Sequence, residues 1–263
     1  MARRKASDVN KRQYQLVDLV REHGYVSIEA LAKHLSVSLQ TVRRDITFLS
    51  DQSLLERHHG GVGILPGTKS LAYTSRKNNN VDAKTLIGEA IAAKIPNGVS
   101  VFIDIGTTME AVAHALIHHK SLTVITNHVG VALILNENTG FEIMIPGGLL
   151  RSRDRAITGE AATEFLLKQR VNYGVFGIGS ITDDGHLLDY DYRDAQVSRV
   201  ALDISRTKFS AADHTKFNAE AMMPIAHISE IDGFFTDQMP PEPIKSAIKS
   251  GQTDLFVGST KIE

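Results

Sequence analysis

The sequence predicts an α/β chain: a mainly parallel sheet covered by helices, preceded by a small helical head. Two patterns carry that reading. From residue 81 onward, short apolar runs alternate with longer amphipathic stretches, as in sheets built from strand–helix–strand units. Before residue 54, three short amphipathic stretches each have residues that start or stop helices at their ends. A polar, aperiodic segment separates the two patterns and reads as a linker. The expected organisation is a first domain over residues 1–65, a linker over 66–80 and a second domain over 81–263.

In the head, "NKRQYQLVDLVREHG" places Leu16, Val17, Leu19 and Val20 on one helical face and ends at Gly24, a favoured residue type just past a helix. Ser27 is a good N-cap for "IEALAKHL", with Ile28, Leu31, Ala32 and Leu35 on one side. After the turn "SVS", Ser38 can cap "LQTVRRDITFLSDQS", which directs Val42, Ile46 and Leu49 inward. Two short helices joined by a tight turn make a helix-turn-helix.

The third helix carries chemistry that suits DNA. Ser38, Gln40, Thr41, Arg43, Arg44 and Thr47 are polar and lie early or on its outer face. Glutamine can bond adenine edges, arginine can fork onto guanine or grip phosphate, and threonine can meet a thymine methyl. Asp45 either orients an arginine or faces the first helix. Leu54–Arg57 and Val62–Leu65 can pair as a hairpin around His58, His59, Gly60 and Gly61, making a wing whose basic tip suits backbone contact. Ser27, Ser38, Gln40, Thr41, Arg43, Arg44, Thr47, Arg57, His58 and His59 are the candidate DNA contacts. A packing or dimerisation module is the alternative for the head, but consecutive arginines on a polar face need solvent or phosphate. Adjacent tip histidines could bind a metal, but that signal is weak, and no metal site is expected.

Bulk composition agrees. The 263 residues are 42% hydrophobic and 22% charged, so a sizeable core is possible. The net charge of −1 hides an asymmetry: residues 1–63 hold ten Lys/Arg and seven Asp/Glu, and the remainder nineteen and twenty-three. A basic head on an acidic body suits nucleic acid at the head. The lack of cysteine excludes disulfides, thiolate metal sites and a cysteine nucleophile. No apolar run approaches the ~18–20 residues of a membrane span. The basic N-terminus leads into no apolar segment of the signal-peptide kind. A soluble cytoplasmic protein with no membrane partner is expected.

In the body, "DAKTLIGEAIAAKI" reads as an amphipathic helix closed by a turn at Pro96–Gly98. The candidate strands are "VSVFID", "LTVITN", "FEIMIPGG", "YGVFGIG", "KFSAAD", "GFFTD" and "TDLFVG". Helical stretches between them include "TMEAVAHALIHH", "HVGVALILNEN", "GEAATEFLLKQ" and "DYRDAQVSRVALDIS". Ligands of such sheets bind outside the C-terminal strand ends. Those ends hold Asp104 with Gly106-Thr107-Thr108, then Thr126-Asn127, then Gly147-Gly148 followed by Arg151, then Gly177-Ile178-Gly179, and Lys216 in "ADHTKF". Glycines admit close approach of backbone N–H groups to a phosphate, and a turn at a helix N-terminus is an anion seat. Hydroxyls, an amide and Asp104 could bind sugar hydroxyls, with Lys216 or Arg151 supplying charge. The candidate effector residues are therefore Asp104, Gly106, Thr107, Thr108, Thr126, Asn127, Gly147, Gly148, Arg151 and Lys216. Taken singly, the Gly-Thr-Thr turn could be an ordinary strand–helix connection, and Arg151 with Arg153 could be surface or interface residues. Neither a P-loop nor a dinucleotide fingerprint follows the first strand, which disfavours nucleotides. No cofactor is expected.

Together, "TVRRDITFLSDQSLLERHHGG", "IDIGTT", "VITN", "PGG", "YGVFGIG" and "ADHTKF" resemble the DeoR family of transcriptional repressors, in the family's order and over nearly the whole chain from Asn10. The first resembles its N-terminal winged helix-turn-helix; the others resemble its sugar-phosphate sensor domain. "IPNG", "EAVAHAL", "RSRD", "LLDYDY" and "TDQMPPEP" resemble the branch that answers to glycerol 3-phosphate. The resemblance implies operator DNA as a partner, release by a sugar-phosphate effector, and a homodimer or homotetramer. It also implies a sensor fold related to ribose-5-phosphate isomerase and CoA transferases. A sugar-phosphate isomerase, or a regulator of another sugar-phosphate pathway, is the alternative. Such an isomerase needs a carboxylate base beside the carbonyl carbon. The place after "YGVFGIG" holds Gly177, Ile178, Gly179 and Ser180, and the nearest acids, Asp183 and Asp184, lie in a turn. The expectation is a repressor and not an enzyme.

Overall fold

The computed structural model describes residues 11–23, 25–51, 55–58, 60–63, 73 and 76–262. The chain divides into two compact units, Met1–Asn79 and Asn80–Glu263. Most of the expected linker, with Gly24, Leu54, His59, Ile64 and Leu65, lies outside the described residues.

The N-terminal unit contains α1 (Lys11–His23), β1 (Tyr25–Ser27), α2 (Ile28–His34), α3 (Leu39–Asp51), β2 (Glu56–His58) and β3 (Gly61–Gly63). Leu16, Val17 and Val20 of α1 pack with Leu31 of α2 and with Val42, Ile46 and Leu49 of α3. That helical spacing puts one face of each helix into a common core. Ser27 caps α2, its Oγ accepting from Ala30 N at 3.1 Å. Ser38 Oγ does the same at the start of α3, accepting from Thr41 N at 3.2 Å.

The strands pair in the order β1-β3-β2. Val62 is opposite Val26 on one side and Arg57 on the other, and it is fully buried. This central place of β3 corrects the expected wing. His58 and Gly61 are ladder partners rather than tip residues, because Gly61 must pair with both Ser27 and His58. "YVS", unassigned from sequence, is the third strand.

The C-terminal unit begins with α4 (Val81–Ala92) and β4 (Ser100–Ile103), followed by α5 (Thr107–Leu116), β5 (Thr123–Thr126), α6 (Val129–Leu135) and β6 (Glu142–Met144). A hairpin comes next, β7 (Leu149–Arg151) and β8 (Ala156–Thr158), then α7 (Glu160–Leu167) and β9 (Val171–Gly177). β10 (Ser180–Ile181), β11 (His186–Asp189), α8 (Tyr192–Ile204), β12 (Ser205–Ala211) and β13 (Met223–His227) follow. The chain closes with β14 (Gly233–Thr236), α9 (Glu242–Ser250), β15 (Asp254–Val257) and β16 (Thr260–Ile262).

An eight-stranded sheet runs in the order β16-β15-β14-β12-β9-β4-β5-β6. Every pair is parallel except the β15–β16 edge. All seven strands expected from sequence lie in it. Their alternation sorts two cores. Phe102, Ile125, Phe176, Phe234 and Leu255 meet residues of α7, α8 and α9 on one face. Val101, Ile103, Val124, Val175, Phe235 and Phe256 meet α4, α5 and α6 on the other. A period of two along each strand thus builds a helix–sheet–helix sandwich. Each fully buried phenylalanine contributes ~1.5–3 kcal/mol relative to exposure. The β7–β8 hairpin and a small antiparallel sheet of β10, β11 and β13 were not expected.

The chain winds from β4 outward through β5 to β6, then returns to β9 on the other side of β4 and winds away through β12, β14 and β15. Crossovers therefore reverse direction between β4 and β9. Such a switch point leaves a crevice at the C-terminal strand ends, where ligands bind.

Candidate functional site

At the switch point, β4 runs into Asp104, Ile105 and Gly106, and α5 begins at Thr107. Gly106 is the N-cap with φ 120°, and no side chain caps the helix. An L side chain rarely adopts that φ, so glycine is required there. No other heavy atom lies within 4 Å of where a Cβ would stand, so the space beside Gly106 is open. The leading N–H groups of a helix have no intrahelical partner and carry its positive dipole end. Thr107 and Thr108 are half-buried beside them. This turn can seat a phosphate.

Facing it across the switch point, Gly177 packs tightly: a Cβ there would stand 2.9 Å from the Ile105 carbonyl oxygen. A Cβ on Gly179 would meet the Tyr190 ring at 2.8 Å, and Tyr190 Oη donates to the Gly179 carbonyl at 3.1 Å. Lys216 Nζ lies 5.8 Å from the centroid of that ring. Lys216 closes the 3-10 turn His214–Lys216, which Asp213 caps by accepting from Thr215 N at 3.0 Å. His214 and Asp237 brace the same turn, Nδ1 and Oδ2 being 2.7 Å apart. Tyr190 is a candidate site residue that sequence reasoning missed; only the fold brings it between Gly179 and Lys216.

Several expected effector residues lie deeper than expected. Asp104 is 1% exposed; its Oδ2 accepts from Ser198 Oγ of α8 at 2.7 Å and its Oδ1 from Ile105 N at 2.8 Å. Burial pushes its pKa up to about 8, against the Ser198 and Ile105 hydrogen bonds, so near neutral pH it is mostly protonated. A neutral acid places little negative charge behind the anion seat. Thr126 and Asn127 are fully buried. Thr126 Oγ1 accepts from His128 N at 3.1 Å, and Asn127 Nδ2 donates to the Ile157 carbonyl at 3.4 Å. These three side chains shape the strand ends from behind and do not line open space. Gly147 and Gly148 are exposed.

Arg151 corrects the picture of a free cation. It is 9% exposed and spends its guanidinium on three aspartates: Asp154 at 2.7 and 2.8 Å, Asp191 at 3.0 Å and Asp194 at 2.6 Å. Arg153 joins Asp154 and Asp191, and Arg193 joins Asp191. Arg151 thus ties the β7–β8 hairpin to the start of α8. Burial pushes Asp194 up to about 6 despite its bonds to Arg151, while Arg193 holds Asp191 well below the usual range.

In the N-terminal unit, Gln40, Arg43, Arg44 and Thr47 are exposed on the side of α3 opposite its buried residues, and Thr41 is half-buried. Four expected hydroxyl contacts are engaged by the chain itself. Ser27 and Ser38 are caps, Thr41 Oγ1 is 2.9 Å from Ser38 Oγ, and Thr47 Oγ1 donates to the Arg43 carbonyl at 2.8 Å. Thr47 keeps its methyl for apolar contact. Arg57 and His58 are exposed on the wing, His58 edge-on to Tyr25 with ring centroids 5.9 Å apart. His59 lies outside the described residues.

No isomerase base emerges after β9. Gly177–Ser180 supply no carboxylate, and Asp183 and Asp184 are exposed in the β10–β11 turn, where Asn218 Nδ2 donates to Asp183 at 2.7 Å. A shallow cavity of about 280 Å³ lies between the beginnings of β9 and β12, lined by Arg170, Asn172 and Arg206 among others. It sits at the N-terminal ends of these strands, away from the switch-point crevice, and beside the C-termini of α7 and α8, whose dipoles disfavour an anion. Among the described residues, no cluster of His, Asp or Glu could hold a metal ion, and no helix could cross a membrane.

Comparison with known proteins agrees with both halves. Residues 12–66 match the DeoR-like helix-turn-helix domain, and residues 79–238 match the DeoR C terminal sensor domain. The chain belongs to the DeoR family. It is 42% identical to the HTH-type transcriptional repressor CsqR of Escherichia coli (strain K12), over 94% of this chain and 95% of that one. It is 41% identical to the glycerol-3-phosphate regulon repressor of the same organism, over 93% and 97%. Ribose 5-phosphate isomerase A from Neisseria gonorrhoeae matches 52% of this chain and 53% of its own, at 11% identity and a TM-score of 0.39. As a DeoR-family member with a DNA-binding head, the protein is a transcriptional repressor and not an enzyme.

Proposed function

We propose that the C-terminal unit senses a small phosphorylated polyol or sugar, glycerol 3-phosphate foremost, and that its binding relieves operator binding by the head. The observation that carries this reading is the uncapped, glycine-led start of α5 opening on the switch point between β4 and β9. The phosphate sits on the N–H groups around Gly106, Thr107 and Thr108. Lys216 supplies a cation, with Gly147 and Gly148 on the exposed rim. Asp104, Thr126, Asn127 and Arg151 hold the strand ends in place. The names of the glycerol-3-phosphate regulon repressors support the three-carbon effector.

The protein acts in the cytoplasm as a symmetric dimer or tetramer, whose symmetry the operator half-sites mirror. Release requires the effector to bind the DNA-incompetent state more tightly, because equal affinity for both states shifts nothing. The test is a thermal-shift panel of glycerol 3-phosphate, ribose 5-phosphate, glycerol and inorganic phosphate. A ligand of the native state raises apparent stability by mass action. The sugar phosphate that stabilises most should also release operator DNA. A panel in which no phosphorylated compound outperforms inorganic phosphate would refute the sensor assignment.

A further inference from the structure

Helix α3 turns four side chains inward. Val42, Ile46 and Leu49 are apolar, and the fourth, Asp45, is a carboxylate that is 4% exposed. Asp45 Oδ2 accepts from Arg12 Nε at 2.7 Å. Its Oδ1 accepts from Gln13 Nε2 at 2.9 Å and from Arg12 Nη2 at 3.2 Å. All three donors come from the first turn of α1. A well-packed apolar residue could fill this position at no loss of stability, since buried ion pairs are often no better than apolar replacements. What an apolar contact cannot supply is direction. A guanidinium forked onto a carboxylate fixes distance and angle together.

The opposite side of the same turns exposes Gln40, Arg43, Arg44 and Thr47. With a helix radius of about 5–6 Å including side chains, a rotation of ~10° about the α3 axis moves those outer groups by about 1 Å. That exceeds the ~0.5 Å spread of a good hydrogen-bond distance. Bonds to base edges are therefore sensitive to such a rotation, whereas attraction to phosphates is not.

We propose that Asp45, held by Arg12 and Gln13, is a positioning residue for operator reading. It sets the rotation of α3 on α1 and so governs discrimination between DNA sequences. Attraction to the phosphate backbone rests on the exposed arginines.

The test uses the full chain and two duplexes: one selected by the wild-type protein from a random-sequence pool, and a scrambled version of it. Asp45→Asn leaves one acceptor for three donors and turns an NH2 group toward them. The ratio of affinities for the two duplexes should fall at least ten-fold. Affinity for the scrambled duplex and the salt slope should stay at wild-type values, because every exposed arginine remains. The double variant Arg12→Gln/Asp45→Asn restores a reciprocal amide pair and should recover most of the ratio. An unchanged ratio for Asp45→Asn would overturn the proposal. Parallel loss of both affinities would mark Asp45 as needed only for folding and would overturn it too. So would a double variant no more selective than the single one.

Discussion

Replacing Asp104 with asparagine removes one titrating proton from the folding equilibrium and keeps a polar group of the same shape at the site. The asparagine Oδ1 can accept from Ile105 N as the native carboxyl does, while its Nδ2 can meet Ser198 Oγ only as a donor, reversing the direction of that bond. In the folded chain burial pushes the Asp104 pKa from its ordinary 3.8 up to about 8. Between those values the folded state holds a proton that the unfolded state has lost. Stability from this group is therefore full below about pH 4, declines as pH rises, and is lost through about pH 8. At ~1.4 kcal/mol per unit of pKa difference, the decline amounts to roughly 6 kcal/mol. Asp104→Asn does not titrate, so its curve lacks that share. Urea unfolding of wild type and variant at pH 5, 6.5 and 8 measures the difference. The variant should gain on the wild type by about 1.4 kcal/mol per pH unit from pH 5 to 6.5, and by less per unit as pH approaches 8. Parallel pH profiles would refute the claim that Asp104 is buried and protonated in the folded protein.

Arg43→Ala and Arg44→Ala should each weaken operator binding by about 1–3 kcal/mol if the side chain reaches a base edge, and should leave the effector's thermal shift intact. Unchanged DNA affinity for both would remove α3 from the interface. Thr107→Glu places a carboxylate in the first turn of α5, so repressor–operator complexes should no longer dissociate on effector addition while DNA affinity stays normal; gel-shift titration reads both. Arg151→Ala strips the cation from buried Asp194, leaves Asp154 with Arg153 alone, and should destabilise the C-terminal unit by about 3–5 kcal/mol, read as a fall in its melting temperature. Gly61→Ala should disrupt the wing and operator binding together. Its Cβ would stand 2.6 Å from the Val26 carbonyl oxygen, and circular dichroism with a DNA titration measures the two effects.

Features set by neighbours along the chain were legible without a structure. The spacing of Val42, Ile46 and Leu49 marks one face of a helix, and Ser27 and Ser38 reach N–H groups three residues on. The seven parallel strands showed themselves as short apolar runs. The Gly106 turn was legible because a glycine and two threonines between a strand and a helix are local chemistry. The strand nature of "YVS" was not, because those three residues become a strand only beside β3, more than thirty positions away. Likewise, the β7–β8 hairpin left no signal that stood out, whereas α9 had a legible one that sequence reasoning missed: Pro241 and Pro243 at its start and Ile244, Ala247 and Ile248 on one face.

The sequence by itself determined the two-part plan, the polar outer face of α3, the strand ends and the glycine-led turn before α5, since each depends on interactions spanning a few residues. Only the tertiary structure decided what the polar residues at those places do. Arg151 belongs to aspartates 40 and 43 positions away, and Asp104 belongs to Ser198, 94 positions away. Asp45 belongs to Arg12 and Gln13 of the first helix. Whether a charged side chain is free to meet a ligand or is held by its own chain depends on which distant groups folding brings within about 3 Å, and no local pattern encodes that.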